Sequence, residues 1–176
     1  MSRDRQDFLY AEAHAKHSAT MRRIVRAYET DFDKQRDLLQ DIYLELWQSL
    51  GSFDGRCSLN TWVYRVAHNV AASHVGRNKR LYPRLVDVEE LEADTSWASL
   101  HTQNQRRCSA ESLLDLIYRL KPLDRQILLL HLEGETAEST AEVTGLSAGN
   151  VATKIHRIKK LLKEAYMEET LHAPKS

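Results

Sequence analysis

The chain has 176 residues, room for one ordinary domain or two small ones, and its 42% hydrophobic content supports a packed core and excludes wholesale disorder. Six glycines and three prolines are too few for the turns of a sandwich or barrel, the two cysteines (Cys57 and Cys108) make no disulfide framework, and 25 basic against 25 acidic side chains exclude a uniformly basic nucleic-acid coat. No apolar run nears the ~18 residues of a membrane span and no signal peptide is evident, so a cytoplasmic protein without membrane insertion is expected.

A first helix is expected from about Arg5 to about Glu29, with Phe8, Ala11, Ala15, Met21, Ile24, Val25 and Tyr28 at helical spacing. Asp33 is placed to cap a second helix, whose apolar residues are Leu38, Leu39, Ile42, Leu46, Trp47 and Leu50, and Gly51 stands where it ends. After a short polar loop, SFDGRCS, Ser58 opens a third helix with Leu59, Trp62, Val63, Val66, Ala67, Val70 and Ala71 as its apolar stripe. Residues 81–112 lose the periodicity and gather Asp87, Glu89, Glu90, Glu92 and Asp94, which reads as a linker.

Helical spacing returns with Leu113, Leu114, Leu116, Ile117 and Leu120. Pro122 then begins a helix that Gly134 closes, Thr136 caps a short one, Gly145 turns the chain, and Ser147 caps a longer one. In that last helix Val151, Ile155, Ile158 and Leu162 are expected inside, with Asn150, Thr153, Lys154 and Arg157 on the outer face. The whole is an all-α fold of two small helical domains, over residues 1–80 and 113–170, joined by a flexible linker at 81–112.

The charges are uneven along the chain. No acid occurs between Asp54 and Asp87, a stretch holding Arg56, Arg65, Arg77, Lys79, Arg80 and Arg84. A second acid-free window, Val143 to Lys163, holds Lys154, Arg157, Lys159, Lys160 and Lys163. Two separated basic stretches suggest two contact surfaces for a polyanion, against the plainer reading of two solvated helix faces.

The span Thr136–Arg157 has the form of a helix-turn-helix, whose second helix enters the major groove. Ala141 is small where its helices approach, and Leu146 follows the turn glycine to fill the angle. The third helix interleaves Trp62 and Tyr64 with Arg65, His68, Asn69, His74, Arg77, Lys79 and Arg80, the pairing of rings and cations that single-stranded DNA requires, although Trp62 alone fits a core position better. Asp37, Asp41 and Glu45 share one helix face, which suits a solvated or partner-binding surface better than a magnesium site, and His14 and His17 lack partners for zinc. No catalytic motif, metal site or cofactor is indicated.

Residues 37–75, with their F-D-G-R-x-S-x-x-T-W-x-Y-R-x-A-x-N string, resemble region 2 of the extracytoplasmic-function (ECF) sigma factors of bacterial RNA polymerase, and residues 116–164 resemble their region 4. The resemblance implies a two-domain initiation factor that recruits core polymerase to promoter DNA. By similarity, Asp37, Gln40, Asp41, Leu44 and Glu45 face the β′ clamp helices of the polymerase core, whose β subunit is a further expected contact. The loop 52–60, with Ser58 and Asn60, together with Trp62, Arg65, His68, Asn69 and Arg77, holds the melted −10 strand. Asn150, Ala152, Thr153, Lys154, His156 and Arg157 read the −35 element. The acidic linker runs toward the polymerase's RNA path, and an anti-sigma factor is the expected regulator. Two departures stand out: Ala152 where the family carries a basic residue, and Thr140 where it carries an apolar one. The competing reading is a stand-alone helix-turn-helix regulator with a helical sensing or dimerisation domain.

Overall fold

A computed structural model of the chain describes residues 3–77 and 117–171, with side chains as far as Glu164. The linker at 81–112 and the apolar residues Leu113, Leu114 and Leu116 lie outside the described residues. Six helices follow one another among those that are described: α1 (Arg3–Tyr28), α2 (Phe32–Leu50), α3 (Leu59–Arg77), α4 (Pro122–Leu132), α5 (Ala137–Thr144) and α6 (Ala148–Leu171). None is long and apolar enough to cross a membrane.

The first three helices pack on one another around Met21, Ile24, Leu38, Ile42, Leu46, Leu50, Val63, Ala67 and Ala71. The stripe expected on α1 is displaced in its first half: Phe8, Ala11 and Ala15 are exposed, whereas Ala13, His17 and Thr20 are buried. Polar side chains occupy that inner face, so a hydrophobic pattern alone misses it. The cap of α2 is Asp31 rather than Asp33: the Asp31 carboxylate accepts from the amides of Asp33 and Lys34 at 3.0 and 3.1 Å. Asp33 instead lies in the first turn, where a carboxylate complements the helix dipole.

Glu29 ties the α1–α2 corner to α3. One of its carboxylate oxygens accepts from the amides of Thr30 and Asp31, and the other lies 2.8 Å from His74 Nε2. Ser58 caps α3 as expected, its hydroxyl accepting from Thr61 N at 3.0 Å.

The second group also follows its local chemistry. Pro122 occupies the first turn of α4, where its missing N–H costs nothing, and Gly134 follows that helix with a φ of 85°. Thr136 Oγ1 accepts from Ser139 N at 3.1 Å, and Ser147 Oγ accepts from Asn150 N at 3.2 Å. Gly145, between these capped helices, is left-handed at φ 78°, a conformation that a side chain would strain. Val151, Ile158 and Leu161 are buried along α6, with Ile155 and Leu162 half-buried beside them.

The two groups pack against each other, α3 touching both α4 and α5. Arg125 of α4 is fully buried at this joint. It donates to the carbonyls of Ala27, Leu120 and Tyr118, and its guanidinium lies over the rings of Tyr28 and Tyr118. Stacking and a planar fork of donors are what an arginine supplies and a lysine does not.

Candidate nucleic-acid interface

Residues 136–157 form a capped helix, a left-handed glycine and a second capped helix, the arrangement of a helix-turn-helix. Its outer face differs from the expected one. Asn150, Ala152, Thr153 and His156 are exposed, and Arg157 is half-buried. Lys154 turns inward: its Nζ lies 2.9 Å from Asp124 Oδ1, and the two side chains are 16% and 2% exposed. A buried carboxylate needs a partner, and this one holds the lysine away from the outer face of the helix. The Thr153 hydroxyl donates to the Gly149 carbonyl at 2.9 Å, which leaves its methyl group and the oxygen's lone pairs for a ligand. Thr140, unlike Ala141 and Leu146, is fully buried, and its hydroxyl has no hydrogen-bond partner.

The loop before α3 is preformed. Gly55 sits at φ 79°, and Asp54 accepts from the Arg56 amide at 3.1 Å and from its Nε at 2.5 Å. Those two bonds, the amide's first, hold the Asp54 carboxyl below its usual range. Phe53 meets Trp62 edge to face at 5.3 Å, and the indole N–H donates to Ser49 Oγ at 3.2 Å. Trp62 is thus half-buried against α2.

On α3 the remaining candidates divide between two sides. Asn69 and Arg77 are exposed on the side that also carries Trp62, and Ser58 is exposed at the helix entrance. Asn60, Arg65 and His68 point instead toward the second group of helices. Asn60 Nδ2 donates to Glu135 Oε1 at 2.8 Å, and Arg65 Nη2 donates to the Glu142 carbonyl. His68 is buried, its Nδ1 3.3 Å from the Tyr28 hydroxyl, which itself donates to the Pro122 carbonyl at 3.1 Å. With the phenol proton committed to Pro122, His68 Nδ1 carries the hydrogen and the buried Nε2 is a lone pair with no partner. Burial accordingly holds the His68 pKa down at about 3.

The α2 face is open. Asp37, Gln40, Asp41 and Glu45 are exposed, and Leu44 stands 57% exposed among them. Asp41 lies 3.8 Å from Arg77 across the exposed edge between α2 and α3. Among the described residues no group of three or more His, Cys, Asp and Glu could hold a metal ion.

Sequence patterns do not reveal the polar seam between the two groups. Glu133 accepts from Thr20 Oγ1 at 2.9 Å and from Arg23 Nε and Nη2 at 2.5 and 2.6 Å, a bidentate pair that holds its carboxyl below the usual range. Glu142 Oε2 accepts from Thr61 Oγ1 at 3.3 Å. The available signal was the placing of Glu133, Glu135 and Glu142 directly before an acid-free window.

Family models match both groups: "Sigma-70 region 2" over residues 14–81 and "Sigma-70, region 4" over residues 110–162. The chain is 28% identical over 130 residues to the RNA polymerase sigma factor YlaC of Bacillus subtilis, covering 73% of this chain and 75% of that one. It is 27% identical over 135 residues to the ECF RNA polymerase sigma-E factor of Haemophilus influenzae, covering 72% and 71%. In fold it is similar to the sigma factor RpoE solved in complex with the anti-sigma factor NepR from Bartonella quintana, with a TM-score of 0.65, 16% identity and coverage of 97% and 99%. It is also similar to CnrH solved in complex with the cytosolic domain of CnrY, with a TM-score of 0.58, 18% identity and coverage of 99% and 100%.

Proposed function

This chain belongs to the sigma-70 family as an ECF sigma factor that directs RNA polymerase in transcription initiation, and from that premise we propose how its residues divide the work. Residues 1–80 are the region 2 unit, 113–170 the region 4 unit and 81–112 the link between them. The protein acts in the cytoplasm, beside the polymerase, and catalyses no reaction of its own.

Asp37, Gln40, Asp41, Leu44 and Glu45 dock on the β′ clamp helices. The observation that carries this assignment is the exposure of Leu44 within a carboxylate strip on α2, an apolar anchor ringed by charge. The Phe53–Gly55 loop, Ser58, Trp62, Asn69 and Arg77 meet the melted −10 strand directly. Asn60, Arg65 and His68 join them only when the two groups of helices separate. Asn150, Thr153, His156 and Arg157 read the −35 duplex, and Lys154 supports that helix from inside through Asp124. An anti-sigma factor is the proposed negative regulator, in keeping with the complexes in which the similar folds were solved.

The test is transcription in vitro with purified core polymerase on genomic DNA. Defined start sites that disappear on reversing Asp41 and Glu45 to lysine are the expected result. Transcription that is independent of the added protein would overturn the assignment.

A further inference from the structure

We propose that Ala152 and Thr153 make α6 a reader of thymine methyl groups, so that the duplex it selects carries A·T pairs, not G·C, where these two residues face it. This rests on the reading of α6 as the −35 helix and names the sequence class that helix takes.

In a helix-turn-helix the first turns of the second helix meet base edges in the major groove. There guanine offers two acceptors, N7 and O6, whereas thymine offers one acceptor and a C5-methyl group. Selecting guanine therefore needs an uncommitted donor at the matching place on the helix. Ala152 is exposed and has none. The Thr153 hydroxyl commits its hydrogen to the Gly149 carbonyl at 2.9 Å. Lys154 turns inward, its Nζ 2.9 Å from Asp124 Oδ1 and its side chain 16% exposed. His156 and the half-buried Arg157 stand about 6 Å further along the axis than Ala152 and Thr153, and so meet other base pairs.

Methyl groups are what this part of the face offers. The bond to Gly149 also fixes the Thr153 rotamer, which keeps its methyl in one place instead of exchanging it with the hydroxyl. Alanine and threonine methyls are the apolar partners that a thymine methyl takes. Gly149, one turn earlier, adds no bulk, and the space where a Cβ would stand is open to 4 Å. The helix can thus approach the base edges closely, as short side chains require. Asn150, exposed near the helix start, carries the paired donor and acceptor that suit adenine N6 and N7. Lys159, Lys160 and Lys163 are exposed beyond these turns, where cations suit phosphate.

The experiment uses the full chain with core polymerase, on a mapped promoter whose −35 segment is randomised. Closed complexes are selected and sequenced, and affinities are then measured on single duplexes. The selected segment should hold adjacent A·T pairs. Replacing a selected thymine by deoxyuridine, which removes only the C5-methyl, should weaken binding about fourfold, the worth of one buried methyl group. At one of these thymines that effect should vanish in Thr153→Ser, which lacks the methyl, and persist in Thr153→Val, which lacks the hydroxyl. Ala152→Arg should bring guanine into the selected segment. Guanine selected by the wild type opposite these two residues, or an effect that follows the hydroxyl and not the methyl, would overturn the proposal. Protein-dependent start sites with no sequence selected in the −35 segment would instead remove the reading of α6 itself, and the proposal with it.

Discussion

Lys154 and Asp124 are thirty residues apart in sequence and form a 2.9 Å ion pair beneath the helix-turn-helix. Lys154→Ala should cost about 3 kcal/mol of stability, because the Asp124 carboxylate stays buried without its cation. Thermal unfolding checks the size. Pairing it with Asp124→Asn should recover much of the loss. A lysine serving only DNA would leave the melting temperature alone and instead flatten the salt dependence of binding.

Thr140 offers the opposite case. Its hydroxyl is buried without a partner, so the near-isosteric Thr140→Val removes a polar group that gains nothing from burial. We expect stabilisation of about 1 kcal/mol, read from denaturant unfolding. Duplex binding should be unchanged, since position 140 is inaccessible.

Acid should loosen the protein through His68. Its folded pKa of about 3 lies below the ordinary 6.5, and the cause is burial. A depressed pKa contributes stability that is complete above 6.5 and is lost as the pH falls from there toward 3. His17 shifts the same way, by burial first and the Lys16 charge second. Between pH 6.5 and 5 the loss from His68 should be on the order of 2 kcal/mol. His68→Gln should flatten the fall of melting temperature with pH, and an equal slope in both proteins would exclude His68 as its source.

Asn69 is exposed on α3. Asn69→Ala should leave closed-complex formation nearly unchanged and slow promoter opening, because its proposed partner is an unstacked base. A template with a preformed bubble should recover part of that loss. Arg157→Ala should weaken the closed complex on duplex DNA, and the bubble should not help it. Alike responses from the two variants would contradict the division between −10 and −35 surfaces.

Elements governed by neighbouring residues were legible before the structure. The caps at Ser58, Thr136 and Ser147, the turn at Gly145 and the first-turn Pro122 each depend on a few adjacent positions, and all stand as expected. Asp31 and Asp33 were harder to separate, since either spacing offers a carboxylate to the same helix start. The inner face of α1 was hidden because His17 and Thr20 are buried through polar contacts that hydropathy does not score. Lys154 and Arg65 were read as ligands of DNA from helix periodicity, the mixing of rings and cations on α3 and the family resemblance. Their partners here, Asp124 and Glu142, come from distant segments that no local period connects to them. The candidate site was therefore legible as an inventory of side chains, but not as a choice of which ones stay free.

Arg125 holds its place through three main-chain oxygens, those of Ala27, Tyr118 and Leu120. A carbonyl is present whatever side chain accompanies it. Positions 27 and 120 can therefore drift between apolar residues over evolutionary time without erasing the acceptor that Arg125 seeks. Position 125 has no such latitude, because a lysine has no planar fork to reach both α1 and the 118–120 segment while lying flat on tyrosine rings. Among diverging copies of this gene, the arginine should outlast the residues it touches.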